Sequence, residues 1–367
     1  MLIGEFNYHR NPSRGCGNLW EQEVRKGNQM IFRSLVAAGM FLLAYADQAL
    51  AGETLERVKE RGKLLCGVHP GTIGFSMANE TKEWAGFGVD YCRAVAAAVL
   101  GSANQVTFVP LDAKSRFTAL QSGEVDMLSG RSTWTMTRDT SIGLSFAATN
   151  LYDGQGFMVR KSSGIRSAIE LGGSSVCTTT GTTTELNLAD FFRTLNKPYE
   201  IVSFEAVDEV LQAYDNGRCD SYTTDVSGLY ANRLKLKAPG DHVILPEVIS
   251  KEPLALVVRQ GDNQWLNIVK WVHFALVNAE ELGVSRANAE ESLSAKSPEI
   301  RRLLGVEGNF GTGLGLDEQW AYRALIQVGN YEEIYRHNLG ADSKLKIERG
   351  LNRLWSTGGL MYAPPIR

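Results

Sequence analysis

Several things are scarce in these 367 residues, and each scarcity excludes something. There is no excess of positive charge: 38 Lys and Arg stand against 41 Asp and Glu, so the chain lacks the electrostatic footprint that a phosphate backbone requires, and nucleic acid is not an expected partner. The five cysteines show no spacing that resembles a zinc site. There is no HExxH, no GxSxG and no Walker loop, which removes the commonest catalytic signatures. No apolar run reaches the roughly 20 residues that a bilayer span needs. What remains is a chain 44% hydrophobic and 22% charged, the composition of a folded protein, and long enough for two domains or lobes.

The N-terminus has a different character from the rest. In "MIFRSLVAAGMFLLAYADQALAGE", Arg33 is a short basic region, Leu35 to Tyr45 an apolar region of about a dozen residues, and "ALA" at Ala49 to Ala51 a cleavage signature. The expectation is export with cleavage between Ala51 and Gly52, residues 1–51 forming leader and signal peptide. Met30 is the more natural start of such a signal than Met1. Removing residues 1–51 takes five basic and four acidic residues from 38 and 41, so the mature protein is mildly acidic. Once Cys16 is set aside, Cys66, Cys92, Cys177 and Cys219 remain. Four cysteines allow three pairings, or some are plain buried thiols; Cys66 and Cys92 share one unit and Cys177 and Cys219 another, which favours pairing within each.

From Lys63 onward, strand-like and helix-like segments alternate, which predicts α/β units with parallel strands. "KLLCGVHP", "QVTFVPL" and "VDMLSG" read as strands, with the helices "GVDYCRAVAAAVLG" and "SRFTALQSGE" between them. A second unit follows "YDGQGFMVRKSSG": strands "SSVCTTTG", "YEIVSF" and "CDSYTTD", with helices "TTELNLADFFRTL" and "VDEVLQAYDNGR". "EPLALVVRQGD" reads as a strand returning to the first unit, before the long amphipathic helix "NQWLNIVKWVHFALVNAEELG". Two units joined by two crossings imply a hinge. The expected organisation is residues 52–153 plus 252–300 as one lobe, 154–251 as the other, and 301–367 as a helical C-terminal extension packed on them, with helices in "DEQWAYRALIQVGNYEEIYRHNLG" and "KLKIERGLNRLWSTGG". "GNFGTGLGLDE" follows no strand and reads as a linker rather than a nucleotide loop.

Three strand-end turns share one chemistry: "SGRSTWTMTRD", "CTTTGTTTE" and "CDSYTTDVSG". An arginine can pair with a carboxylate, hydroxyls and turn N–H groups complete an anion's shell, and an aspartate accepts from an ammonium. Together they describe a receptor for a zwitterion. Open α/β sheets bind ligands at such ends.

From Gly52 to Leu304 these motifs, in this order, make the chain resemble the periplasmic solute-binding proteins that deliver polar amino acids to ABC transporters. The features are the "GV" strand before a loop ending in Phe75, "GFGVDYCRAVA", "RFTALQSGEVDML", the Thr-rich turn with Arg five residues after Thr133, "TGTTTELNL" and "CDSYTTD". The long tail and paired cysteines further resemble the general L-amino-acid branch. The resemblance implies a bilobed, type II Venus-flytrap α/β fold, no cofactor, a periplasmic monomer, and partners in the form of a membrane permease pair driven by a cytoplasmic ATPase. It also implies site roles. Arg138 would clamp the ligand α-carboxylate with Thr133 and the N–H of Thr183, Thr182 and Thr183 lying at a helix N-terminus that favours an anion. Asp225 would receive the α-ammonium, helped by the Gly130 carbonyl. A strand-end Arg is otherwise usually a surface ion pair, and an Asp before "VSGLYANRL" is otherwise a helix cap.

The first loop departs from the family. Where many relatives carry an acidic residue and an aromatic, this chain has His69, Thr72 and Gly74 in "GVHPGTIGFS", which widens the expected pocket. Arg131 adds a positive charge, facing an acidic or amide side chain of the ligand or lying solvated at the rim. Trp84, Trp134 and Phe75 are further candidates for the pocket wall. The rival readings are an enzyme on the same scaffold, for which His69 and Glu185 are the only candidate acid–base groups, and a ligand-sensing domain, which would normally be joined to a membrane span.

Overall fold

The structure is a computed structural model and describes residues 53–367. The leader, the signal segment, its cleavage point and Cys16 lie outside the described residues. Among the described residues no helix is long and apolar enough to cross a membrane.

The first lobe opens with α1 (Glu53–Arg61), β1 (Leu64–Val68), the small hairpin β2 (Met77–Ala78) and β3 (Trp84–Ala85), and α2 (Phe87–Leu100). It continues through β4 (Val106–Pro110), α3 (Arg116–Ser122), β5 (Met127–Thr133), α4 (Met136–Ser141) and β6 (Leu144–Asp153). The nearly unbroken apolar run of β1 is buried, as suits a strand in the interior of a sheet with helices over both faces. Ala94, Ala96, Ala97 and Ala98 of α2 are fully buried, small side chains that allow close packing. After Asp153 the chain crosses to the second lobe: β7 (Gln155–Arg160), β8 (Ser175–Thr179), α5 (Thr183–Leu195), β9 (Glu200–Phe204), α6 (Val207–Asp215), β10 (Ser221–Asp225), α7 (Val226–Arg233) and β11 (His242–Ile244). It returns in β12 (Glu252–Arg259), followed by α8 (Asn263–Glu281), α9 (Ala289–Ser292), α10 (Pro298–Leu303), α11 (Trp320–Val328) and α12 (Tyr331–Asn338).

Each lobe holds a five-stranded sheet, in the orders β4-β1-β5-β12-β6 and β11-β7-β10-β8-β9. The strands expected to be parallel within each unit are so, β8 running parallel to β9 and β10; the strands next to the crossings differ. β1 runs parallel to β4 and β5, but β12 is antiparallel to β5 and β6, and β7 is antiparallel to β10 and β11. The double crossing explains it, since a strand that leaves a lobe and one that returns enter from the same side. Both crossings sit together: Glu252 pairs with Asp153, and Pro253 with Tyr152.

Disulfides join Cys66 of β1 to Cys92 of α2, and Cys177 of β8 to Cys219 just before β10. The extension's α11 and α12 pack on α2 and α8, burying Trp320, Leu325, Tyr331, Ile334 and Tyr335 in the core of the first lobe. The second expected tail helix does not form. Its stretch carries only two single turns, Gly350–Asn352 and Trp355–Thr357, because the backbone goes left-handed at Lys346 and Gly350, each with φ of 49°.

Candidate functional site

The C-terminal ends of β5, β8 and β10 meet where the lobes close on each other. Lys114 of the first lobe pairs with Glu205 of the second at 2.8 Å, and Lys235 Nζ donates to the Gly71 carbonyl at 3.3 Å. Between them lies a small cavity, about 40 Å³, lined by His69, Arg116, Gly130, Arg131 and Thr133 from one side and Thr182, Thr183, Thr184 and Asp225 from the other. A far larger cleft, about 1350 Å³, lies beside the β2–β3 hairpin, but it is walled largely by solvated side chains. Convergent charge, not volume, marks the site.

Asp225 closes β10 at the N-terminus of α7 and is 8% exposed. Among the described residues no group donates a hydrogen bond to its carboxylate, and the one cation in reach is Arg131, whose Nη1 lies 3.7 Å from Oδ2. Burial raises its pKa to about 7 against the pull of Arg131, with Asp153 and Glu252 adding repulsion. Arg131 is not a solvated rim residue. Its side chain is 11% exposed, its guanidinium lies 5.2 Å over the Phe75 ring, and its Nε and Nη1 are buried without a hydrogen-bond acceptor. Its backbone is left-handed, φ 53°, a conformation that costs a bulky side chain energy and tends to occur at functional sites. Gly130 precedes it where the chain passes His69 so closely that a Cβ would lie 3.2 Å from the His69 nitrogen.

Arg116 is the residue that sequence reasoning left out. It stands in the first turn of α3, 7% exposed, with Nε buried and unpaired. Burial, then the like charges of Arg138 and Arg131, push its pKa down to about 9. It stays protonated at neutral pH, and an anion in the cavity would relieve it. The available signal was a cation in the first turn of a helix, where the helix dipole disfavours it.

Arg138 lies behind the cavity wall. Its Nη1 donates to the Thr133 carbonyl at 3.0 Å and its guanidinium sits 5.1 Å from the Phe117 ring. Glu252, a second residue missed in the sequence, explains where the expected anion-binding hydroxyls are engaged. At the start of β12 and 1% exposed, it accepts from Thr133 Oγ1 at 2.6 Å and Thr183 Oγ1 at 3.0 Å. Asn187 and Ser250 donate to its other oxygen at 2.6 and 2.7 Å. One hinge carboxylate thus bridges a hydroxyl of each lobe. Asp153, the other hinge carboxylate, accepts from the Ser227 and Gly154 N–H groups and so orients α7, which carries Asp225 at its head.

Among the other sequence candidates, Thr72 is 1% exposed and touches His69 Nδ1 through its hydroxyl at 3.3 Å, and Phe75 is 3% exposed beneath Arg131. Both support the wall rather than form it. Thr182 is the N-cap of α5, its hydroxyl donating to the Thr179 carbonyl at 2.7 Å. Trp84 packs on Phe108 in the hairpin cleft and Trp134 stacks on Phe146, so neither lines the cavity. His69 lies in the cavity wall, but burial, then the charges of Arg131 and Arg116, lower its pKa to about 3, leaving it neutral at ordinary pH. Glu185 accepts from Gly181 N–H and Ser203 Oγ at 3.0 and 2.9 Å, which fixes the threonine turn.

Residues 64–284 match the family described as bacterial extracellular solute-binding proteins, family 3. The general L-amino acid-binding periplasmic protein AapJ of Rhizobium johnstonii is 53% identical, over 90% of this chain and 98% of its own length. The glutamate/glutamine/aspartate/asparagine-binding protein BztA of Rhodobacter capsulatus is 52% identical, over 91% and 99%. The structure of a periplasmic binding protein from Brucella ovis with glutathione bound superposes with a TM-score of 0.85 at 55% identity, covering 86% of this chain and 99% of that one. The chain belongs to the bacterial extracellular solute-binding proteins, family 3.

Proposed function

We propose that this protein is the extracytoplasmic substrate-binding component of an amino-acid ABC transporter, and that its preferred ligand is an amino-acid zwitterion carrying a second anionic or amide group. One observation carries the reading. One small cavity between the lobes holds Asp225, to which no group among the described residues donates, and two arginines, Arg116 and Arg131, whose buried N–H groups lack acceptors there. Unmade hydrogen bonds of this kind are costly, and a ligand bearing an ammonium and more than one acceptor group satisfies them together. The names of AapJ and BztA and the glutathione held by the Brucella ovis protein support a ligand of this class.

In this reading the ligand docks on the first lobe near Arg138 and Thr133, and hinge closure then adds Thr182, Thr183 and Asp225. The α-carboxylate takes over the Thr133 and Thr183 hydroxyls from Glu252. The ammonium pairs with Asp225, and the distal group meets Arg116 and Arg131. Charged hydrogen bonds contribute about 1.5–3 kcal/mol each, and micromolar affinity requires about −8 kcal/mol, so a few such contacts suffice after the cost of closure. A neutral His69 and a Glu185 committed to its turn support transport over acid–base catalysis. The protein is exported through its cleaved N-terminal signal, acts as a periplasmic monomer, and hands its ligand to a permease pair driven by a cytoplasmic ATPase.

Thermal unfolding of residues 52–367 with a panel of amino acids tests this, since a ligand that binds only the native state raises its melting temperature. L-Glutamate, L-aspartate and their amides should stabilise more than L-lysine or L-arginine, and Arg138→Ala or Asp225→Ala should abolish the effect. Stabilisation by carboxylates lacking an ammonium, equal to that by amino acids, would remove Asp225 from its role.

A further inference from the structure

The C-terminal extension lies beyond the region that matches the family, residues 64–284, yet it reaches the hinge and the ligand loop. β6 is an edge strand of the first sheet, and its last residues lead into the crossing at Asp153 and Gly154. An edge strand leaves backbone groups unpaired, and here the extension pairs them. Asn352 Oδ1 accepts from Tyr152 N–H at 2.7 Å while its Nδ2 donates to the Tyr152 carbonyl at 2.9 Å, one side-chain amide acting as a missing strand. Two residues earlier, the buried Tyr331 hydroxyl donates to the Asn150 carbonyl at 3.0 Å. Arg349 locks the grip: it donates to the Asn352 carbonyl, pairs in bidentate fashion with Glu280 at 2.6 and 3.1 Å, and lies over the Tyr331 ring.

The same segment props the ligand loop. A Cβ at Gly74, whose φ is +80°, would lie 2.7 Å from the Asn338 carbonyl and 2.5 Å from Leu345, so loop 69–76 is seated directly on the extension. Phe75 packs edge-on against Phe87, and Phe87 against Tyr331 and Tyr335; Arg131 lies on the other side of Phe75.

We propose that residues 331–352 are a positioning element for ligand capture: by gripping β6 through Tyr331 and Asn352 and seating loop 69–76, they confine hinge bending to the crossings and hold the first lobe's half of the site ready. This rests on the ligand-binding reading above. A hinge freed of this grip samples more lobe orientations, and ligand binding must then order them at a cost in affinity.

The test uses residues 52–367 carrying Glu124→Cys and Ser162→Cys, exposed positions on the two lobes, labelled for single-molecule distance measurement. Asn352→Ala and the milder Tyr331→Phe should each broaden the ligand-free interlobe distribution toward open distances. Each should weaken L-glutamate binding at least fivefold while leaving the ratio of L-glutamate to L-glutamine affinity unchanged. Trp355→Ala, an exposed position of the tail outside residues 331–352, should leave the distribution as it was. An unchanged distribution in both hinge variants overturns the proposal. If no amino acid binds, the ligand assignment fails, but the ligand-free distribution still decides the role of the extension.

Discussion

Arg131→Asn separates the roles of the two buried cations. Asparagine tolerates the left-handed backbone that Arg131 adopts, so the substitution removes the charge without distorting the turn. In the ligand-free protein losses and a gain partly offset each other. The cation–π contact over Phe75 is lost, at about 0.5–2 kcal/mol, together with the attraction of Arg131 for the buried Asp225 carboxylate 3.7 Å away, while buried N–H groups without acceptors are removed, which relieves about 1–3 kcal/mol; melting should fall modestly. Ligand preference should move much more. A cation about 4 Å from a carboxylate interacts by roughly 4 kcal/mol at an effective dielectric of 20, and the net worth of a charged hydrogen bond is about 1.5–3 kcal/mol. L-Glutamate should therefore lose about 10- to 100-fold in affinity relative to L-glutamine. Removing Arg131 also lifts the Asp225 pKa further, since Arg131 pulls it down to about 7; that change acts on the ammonium of both ligands alike, so titration calorimetry should compare L-glutamate with L-glutamine in each protein at one pH. A glutamate-to-glutamine ratio within threefold of the parent's would refute the assignment of Arg131 to the distal group.

Two further outcomes follow from charge and connectivity. Because the Asp225 pKa is raised from 3.8 to about 7 in the folded protein, this group favours the native state below pH 3.8, and that stability is lost as pH rises through 7. Affinity for a zwitterion needs the carboxylate charged and should rise over the same window and level off above it. Melting curves and calorimetry between pH 5 and 8 should thus show opposite slopes, and Asp225→Asn should flatten the affinity slope and lessen the melting slope, to which the raised Asp153 and Glu280 still contribute; parallel slopes would contradict the pairing. Replacing Cys177 and Cys219 together by serine opens a 42-residue loop and should cost about 4 kcal/mol in a denaturant titration, whereas a loss under about 1 kcal/mol would mean the lobe does not depend on the bridge.

Most of the fold was legible because the hydrophobic runs are clean. Segments such as "LLCGV" and "LALVV" have no reading other than a buried strand, and the tail's stripe through Trp320 and Tyr331 has helical spacing. The parallel direction within each unit was legible from the alternation of strand and helix, but the antiparallel direction of β7 and β12 was not, since it depends on where the chain crosses between lobes and no local residue records that. The site divided along the same line. Arg131, Thr133, Thr183 and Asp225 sit at strand and helix ends whose composition announces them. Arg116 was hidden because its helix reads as ordinary amphipathic sequence. Glu252 was hidden because one charged residue at the head of an apolar strand reads as its solvated end; only the crossing beside Asp153 turns it inward.

The two disulfides have a consequence for how such a protein comes to exist. Cys66 joins Cys92, and Cys177 joins Cys219: each of these four cysteines is bonded to its neighbour in chain order, and each bond closes within one lobe. A chain threaded N-terminus first through a membrane releases its thiols in that order, so the first pair can be oxidised before the third thiol emerges. Native pairing then needs no reshuffling. Among the described residues no covalent strap joins the lobes, so oxidation completes each half as a rigid body while the motion between the halves stays free.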